Sequence, residues 1–255
     1  MELQWFRCWK MLGELYEPKG LALETACAVL ETPHPWAVNM AKGCTNNCAY
    51  CYGPLFMHCA RKNWVNMTQP KMKPTALVAK QLNKGIKPDG VFLSFLTDPL
   101  LSENWTNTEE MIALLRNRGI PVATLSKLGV PSMYPEVRAG MTIVSLDKSF
   151  WNEFEPNATE SRLRLGMLKQ RQYPWVSMEP YPSKVIHKQC FASFIEHFKF
   201  ARFIVFGKWN YDSRANTDAA KLEYADYVTK LREFCERNDI RCHIKSDTLK
   251  FIGEN

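Results

Sequence analysis

From about residue 36 to residue 244 the chain repeats one pattern: a short apolar run, one or two polar residues at its end, then a stretch with helical spacing. The clearest run, residues 91–96, is apolar except for Ser94, as expected of a strand buried on both faces of a parallel sheet. Further strands are predicted at 36–40, 121–125, 141–144, 175–178, 203–206 and 241–244. Helices are predicted over 21–30, from Pro74 to the stop at Gly85, and around 190–198. Two capping boxes point to two more. Asn107 and Glu110 precede Met111, Ile112, Leu114 and Leu115, with Gly119 closing the helix. Asn157 and Glu160 open another that runs to about Gln172. A long helix over 218–237 carries Leu222, Val228, Leu231 and Phe234 at helical spacing. Strand, helix, strand units in series require parallel pairing with right-handed crossovers. A length of 255 residues suits one α/β barrel. The expected fold is therefore α/β, a partial (β/α) TIM-like barrel with parallel strands over 36–255, preceded by an N-terminal cap over 1–35. The competing doubly wound sheet is weakened because no G-x-G-x-x-G follows the first strand.

The first predicted strand leads into GCTNNCAYCYGP at 43–54, where Cys44, Cys48 and Cys51 stand as C-x3-C-x2-C. Three thiolates in one short loop can converge on a metal centre. Four-iron clusters are commonly held by four cysteines, so a set of three suggests one iron left open for an outside ligand. Structural zinc is the alternative, but it wants four ligands, and the chain holds no second C-x2-C. The polar surroundings, Thr45, Asn46, Asn47 and Gly53, read as loop and not as core.

Composition narrows the class. The chain is 46% hydrophobic, enough for a large core, and 23% charged, which together argue against disorder. Nine cysteines would suit a disulfide-bonded secreted protein, but Glu2, Arg7 and Lys10 interrupt the first residues and no leader-like apolar stretch appears. A reducing, cytoplasmic compartment is expected, with no membrane span. The net charge of +7 is compatible with a polyanionic partner such as nucleic acid, yet falls short of the dense basic stripe of a dedicated binder.

Strand ends of a barrel face one mouth, and there the chain places Thr97, Asp98, Lys127, Ser145, Glu179 and Lys208. Asp98 can accept from an ammonium group, while Lys127 and Ser145 can donate to a carboxylate, so the set suits a zwitterionic ligand.

The cysteine loop, with aromatic Tyr50 just before its last cysteine, resembles that of radical S-adenosylmethionine enzymes. The stretches 93–99 (LSFLTDP), 124–127 (TLSK), 145–147 (SLD), 175–180 (WVSMEP), 207–211 (GKWNY) and 243–245 (HIK) resemble the spore photoproduct lyase-like branch. The resemblance implies a 4Fe-4S cluster on Cys44, Cys48 and Cys51 that binds S-adenosylmethionine and cleaves it reductively to a 5'-deoxyadenosyl radical. It further implies cofactor contacts at Tyr50, Thr97, Asp98, Lys127 and Ser145, to which the strand-end argument adds Glu179. An electron donor such as flavodoxin or ferredoxin follows from the same chemistry. Lyases of the branch carry a hydrogen-donating cysteine where this chain has Phe95, so Tyr50 and Tyr211 become candidate radical relays. Lys208, Asn210, Tyr211 and Lys245 are candidate substrate contacts, the substrate being a nucleobase, a peptide or a small metabolite.

Other pairs carry less. His187 with Cys190, Cys242 with His243, and His58 with Cys59 each lack the remaining ligands of a metal site. Trp64, Trp151, Trp209 and Tyr211 could stack bases, whereas Trp175 reads as core. Two functional classes follow: a radical enzyme, or an iron-sulfur protein whose cluster is structural or redox-sensing. The strand-end set favours the enzyme, because a structural cluster has no use for it.

Overall fold

The computed structural model describes residues 12–254. In chain order the strands are β1 (Leu15–Tyr16), β2 (Trp36–Val38), β3 (Val91–Leu93), β4 (Val122–Ser126), β5 (Arg138–Thr142), β6 (Trp175–Tyr181), β7 (Phe203–Lys208) and β8 (Arg241–Ile244). The helices are α1 (Leu21–Leu30), α2 (Gly53–Phe56), α3 (Arg61–Trp64), α4 (Pro74–Asn83), α5 (Trp105–Arg116), α6 (Lys148–Phe154), α7 (Ser161–Lys169), α8 (Phe191–Ile195), α9 (Asp218–Arg237) and α10 (Ser246–Ile252). The strands form one sheet in sequence order, antiparallel only between β1 and β2. Strands β8 and β1 do not pair, so the barrel is open on that side.

Alternation along the strands sorts residues into two layers. Val38, Val91, Leu93 and Val122 point outward against Val78 of α4 and Met111, Ile112 and Leu115 of α5. Met141, Val176, Met178, Ile204 and Phe206 do the same against α7, α8 and α9. Ala37, Phe92, Ala123, Trp175, Phe203 and Val205 point inward, where they meet Ala26, Val29 and Leu30 of α1. Helix α1 thus fills the lumen. At its start Lys245 Nζ donates to Leu21 O at 2.5 Å and Thr25 Oγ1 at 2.7 Å. At its end Glu31 pairs with Arg138 at 2.7 Å and Arg241 at 2.6 Å. The segment expected as part of a cap instead supplies, within its described residues, an edge strand and the plug of the barrel.

Several boundaries differ from expectation for identifiable reasons. The run 91–96 stops as a strand at Leu93, because the Asn39 side-chain oxygen takes the amides of Phe95 and Leu96 at 2.8 and 3.0 Å. Helix α5 begins at Trp105, which puts Asn107 inside it and leaves no capping box there. Helix α7 begins at Ser161, and the Asn157 amide meant to cap it donates to Thr45 O at 2.9 Å. Strand β5 lies earlier than 141–144 and includes Gly140, where a Cβ would stand 2.0 Å from the Trp175 ring that crosses it. Leu222 in α9 is 73% exposed and takes no part in the core, unlike Val228, Leu231 and Phe234. Helices α2, α3 and α6 carry no sequence pattern that announced them.

Candidate active site at the barrel mouth

The cysteine loop follows β2 at the C-terminal end of the barrel strands and is bound on several sides. Trp64 of α3 forms its back wall: its carbonyl accepts from Cys44 N at 3.1 Å. A Cβ at Gly43 would lie 2.5 Å from that same carbonyl, and one at Gly53 would lie 2.1 Å from the indole, so both glycines are required by close approach. Arg61 donates to the carbonyls of Cys48 and Cys51 at 2.6 and 3.2 Å. From the other side Phe154 O accepts from Ala49 N at 2.9 Å, beside the Asn157 bond to Thr45.

The three sulfurs lie within electrostatic reach of one another. Burial pushes the Cys44 and Cys48 thiols up to about 12; Asp98 adds to the rise at Cys44 and Lys127 opposes it at Cys48. Among the described residues, no three His, Cys, Asp or Glu side chains are gathered so as to hold a metal ion. A mononuclear zinc site needs its ligands on one point. A cubane takes each thiolate on a different iron, so its ligands surround a volume instead. Three thiols on one short loop, within electrostatic reach of one another, suit the second arrangement in chemistry and number.

Asp98 holds this loop to the sheet. Its Oδ2 accepts from Asn46 at 3.0 Å and from Lys127 N at 2.8 Å, and its Oδ1 from Leu100 N at 2.9 Å and Ser126 Oγ at 2.8 Å. A carboxylate offers about four acceptor positions, and all are taken. The carboxylate expected to accept from a ligand ammonium is thus engaged by the fold itself. Thr97 is engaged likewise, accepting from Asn104 at 3.0 Å.

Behind the loop lies a buried ionic network. The Tyr50 hydroxyl donates to Glu155, whose other oxygen accepts from Arg164. Arg164 also reaches Thr142 O at 2.5 Å and Ser161 Oγ at 2.8 Å, and both members of the ion pair are fully buried. Burial first, then Glu155, raises the Tyr50 phenol well above its ordinary range. The Tyr50 hydroxyl, expected as a radical relay, is thus tied into this network. The Lys127 ammonium stands 5.3 Å from the centre of the Tyr50 ring. Burial pulls its pKa down, but Cys48 and Glu155 more than offset this and the net shift is upward.

Across the mouth, β6 bulges. Met178 pairs with Phe206 and Tyr181 with Lys208, so Glu179 and Pro180 together face the single residue Gly207. Glu179 lies flat on Gly207, where a Cβ would stand 2.8 Å from its Cγ. Burial raises its pKa, with Lys245 the main opposing influence. Tyr52, which the sequence reading passed over, is half-exposed at this mouth and lies within electrostatic reach of Cys51, Tyr16, Glu179 and Tyr211.

The remaining candidates are distributed differently from expectation. Lys208 is buried, bonded to Asn216 at 2.8 Å and set over the Phe251 ring, and Lys245 holds α1, so both ammonium groups are engaged within the fold. Asn210 donates to Asp247 at 2.8 Å. Tyr211 is 69% exposed and remains available. Ser145 shares its hydroxyl with His187 at 3.2 Å and accepts from Asp147 N at 3.1 Å. Trp64 and Trp209 are buried, and the Trp151 indole donates to Ala158 O at 2.8 Å. Cys242 packs against buried Cys235, and His243 stands 3.6 Å from Glu24. A cleft of about 640 Å³ opens on the outer side of the cysteine loop, lined by Thr45, Asn46, Trp105 and Asn157, away from Glu179 and Tyr211.

This open, mostly parallel barrel has counterparts among solved structures. No family model and no curated protein matches the sequence. The fold is that of spore photoproduct lyase. The lyase complexed with dinucleoside spore photoproduct matches at a TM-score of 0.52 and 12% identity, over 82% of this chain and 76% of that one. Two mutants of the lyase match over the same shares at 12% identity: cysteine-to-serine, TM-score 0.58, and tyrosine-to-phenylalanine, TM-score 0.53. The resemblance carried by the sequence motifs therefore extends to the three-dimensional fold.

Proposed function

We propose that this chain is a radical S-adenosylmethionine enzyme acting on a nucleobase-containing substrate. The observation that carries the reading is the cysteine loop itself: three thiols held from behind by Trp64, Arg61 and the Glu155–Arg164 network, open toward a barrel mouth that also presents Lys127. When bound there, a 4Fe-4S cluster on Cys44, Cys48 and Cys51 would supply the electron that cleaves S-adenosylmethionine to a 5'-deoxyadenosyl radical. The chain's own residues bind and orient. Lys127, near Cys48 and with its pKa raised, would hold the cofactor carboxylate. Asp98 and Thr97 act through the fold, keeping Asn46 and the β4 end in register with the loop.

The nucleobase preference rests on the dinucleoside bound by the structural neighbour and on the net charge of +7. Phe95 stands where the resemblance would put a hydrogen-donating cysteine, and its ring stacks on Phe92 at 4.5 Å. It has no labile hydrogen to return, so direct repair of thymine photoproducts should be slow or absent. A one-electron donor such as flavodoxin or ferredoxin is required by the same chemistry.

Anaerobic reconstitution tests the reading. The wild-type protein should take up about four irons with sulfide, and Cys44→Ala, Cys48→Ala or Cys51→Ala should each abolish the centre. With S-adenosylmethionine and a reductant, 5'-deoxyadenosine should form. Zinc without iron-sulfur absorption would overturn the reading, and a cluster that never yields 5'-deoxyadenosine would leave a structural or redox-sensing protein.

A further inference from the structure

Glu179 stands out at the mouth because its carboxylate has one long ion pair and no hydrogen-bond donor from the described fold. No hydrogen bond from a described residue reaches it, and its nearest charged partner, Lys245, is 3.9 Å away with its ammonium already donating to Leu21 O and Thr25 Oγ1. The other buried or half-buried carboxylates named here are engaged: Asp98 by four donors, Glu155 by two, Glu24 by Ser246. The chain nevertheless holds Glu179 in place. Residues 175, 177 and 179 alternate inward along β6 from the buried Trp175 to the mouth, the bulge turns the last of them, and Gly207 supplies a flat seat. The side chain is 27% exposed, so a ligand entering the mouth meets it. It lies in the half of the barrel formed by β6, β7 and β8, while the thiols follow β2. The two rings that share the mouth, Tyr52 at 41% and Tyr211 at 69% exposure, offer faces on which a planar group can stack.

We propose that Glu179 is a substrate-recognition residue, its carboxylate accepting the ring N–H of a nucleobase presented at the mouth beside Tyr52 and Tyr211. A seated carboxylate without internal donors is matched by an imide or amide N–H, and the aromatic neighbours favour a flat ring over a flexible amine. This assignment moves Glu179 from the cofactor, where the strand-end pattern had placed it, to the substrate. It rests on the proposed nucleobase reading and deepens it.

The test is equilibrium dialysis of the reconstituted protein with S-adenosylmethionine present, using thymidine, the dinucleotide TpT, TpT methylated at N3 of its bases, and a short lysine peptide as probes. Wild-type protein should bind TpT, and thymidine too if the free nucleoside suffices. Methylation at N3 should weaken binding about tenfold or more. Glu179→Ala should lose the same factor and become insensitive to methylation, and Gly207→Ala, which unseats the side chain, should behave like Glu179→Ala. Glu179→Gln, close in shape, checks by circular dichroism and thermal unfolding that the mouth still folds. TpT binding that is unaffected by Glu179→Ala overturns the assignment alone. Failure of wild-type protein to bind either nucleobase probe overturns the nucleobase reading and the assignment together. A Glu179-dependent affinity confined to the lysine peptide, or loss of S-adenosylmethionine binding in Glu179→Ala with TpT unaffected, also overturns it.

Discussion

Asp98 illustrates how one side chain can tie a loop to the sheet beside it. Four donors from the cysteine loop, β4 and its own turn converge on its two oxygens. Asp98→Asn keeps the shape but sets an NH2 group against N–H and O–H donors whichever way the amide is turned. The substitution should cost roughly 1.5–3 kcal/mol, the range for a charge-assisted bond lost with its partners left buried. Chemical denaturation would measure that loss, and iron should leave the reconstituted protein faster because Asn46 belongs to the cysteine loop. An unchanged unfolding midpoint would show that the carboxylate is dispensable. Its position at a strand end was legible in the sequence, but its use was not, since Asn46 and Ser126 lie 52 and 28 residues away.

Among the elements, the connection from α6 to α7 does most to brace the cysteine loop, through Phe154, Glu155, Asn157 and Arg164. A fully buried ion pair stabilises little relative to an apolar replacement, yet losing one partner leaves an uncompensated charge. Arg164→Met should therefore cost about 3–5 kcal/mol, as measured by urea unfolding. The double variant Glu155→Leu with Arg164→Met should recover much of this stability but not iron retention, because Tyr50 still lacks its acceptor. Equal stability of single and double variants would count against an ionic origin. Pattern reading failed at this connection for a physical reason. Asn157 and Glu160 have the spacing of a capping box, but a carbonyl 112 residues away claims the Asn157 amide.

On the scale of the whole molecule, the sheet is open between β8 and β1, and its lumen is filled by α1. Lys245 locks the upper end of this plug from a 3% exposed position, whereas the Glu31 pairs at the lower end are partly solvated and contribute at most about 1 kcal/mol each. Lys245→Met should speed hydrogen exchange of the α1 amides while leaving those of α9 protected. Uniform loosening of both helices would mean that Lys245 supports the fold generally, and no change in α1 would mean that apolar packing alone holds the plug.

The sequence by itself determined what depends on local order. Short apolar runs and helical spacing assigned α1, α9 and β8 to within a residue, and the three thiols of the cysteine loop are adjacent enough to be read as one donor set. Only the tertiary structure decided which polar side chains face the mouth empty-handed and which are tied into the frame. Those choices join residues far apart in the chain, 105 positions for Tyr50 with Glu155 and 220 for Thr25 with Lys245. Spacing along the chain encodes which face a residue takes within its own element. Which partner waits on that face is set by the crossovers that bring distant elements together, and for that reason Asp98 and Lys245 turned inward to the frame while Glu179 remained open to the mouth.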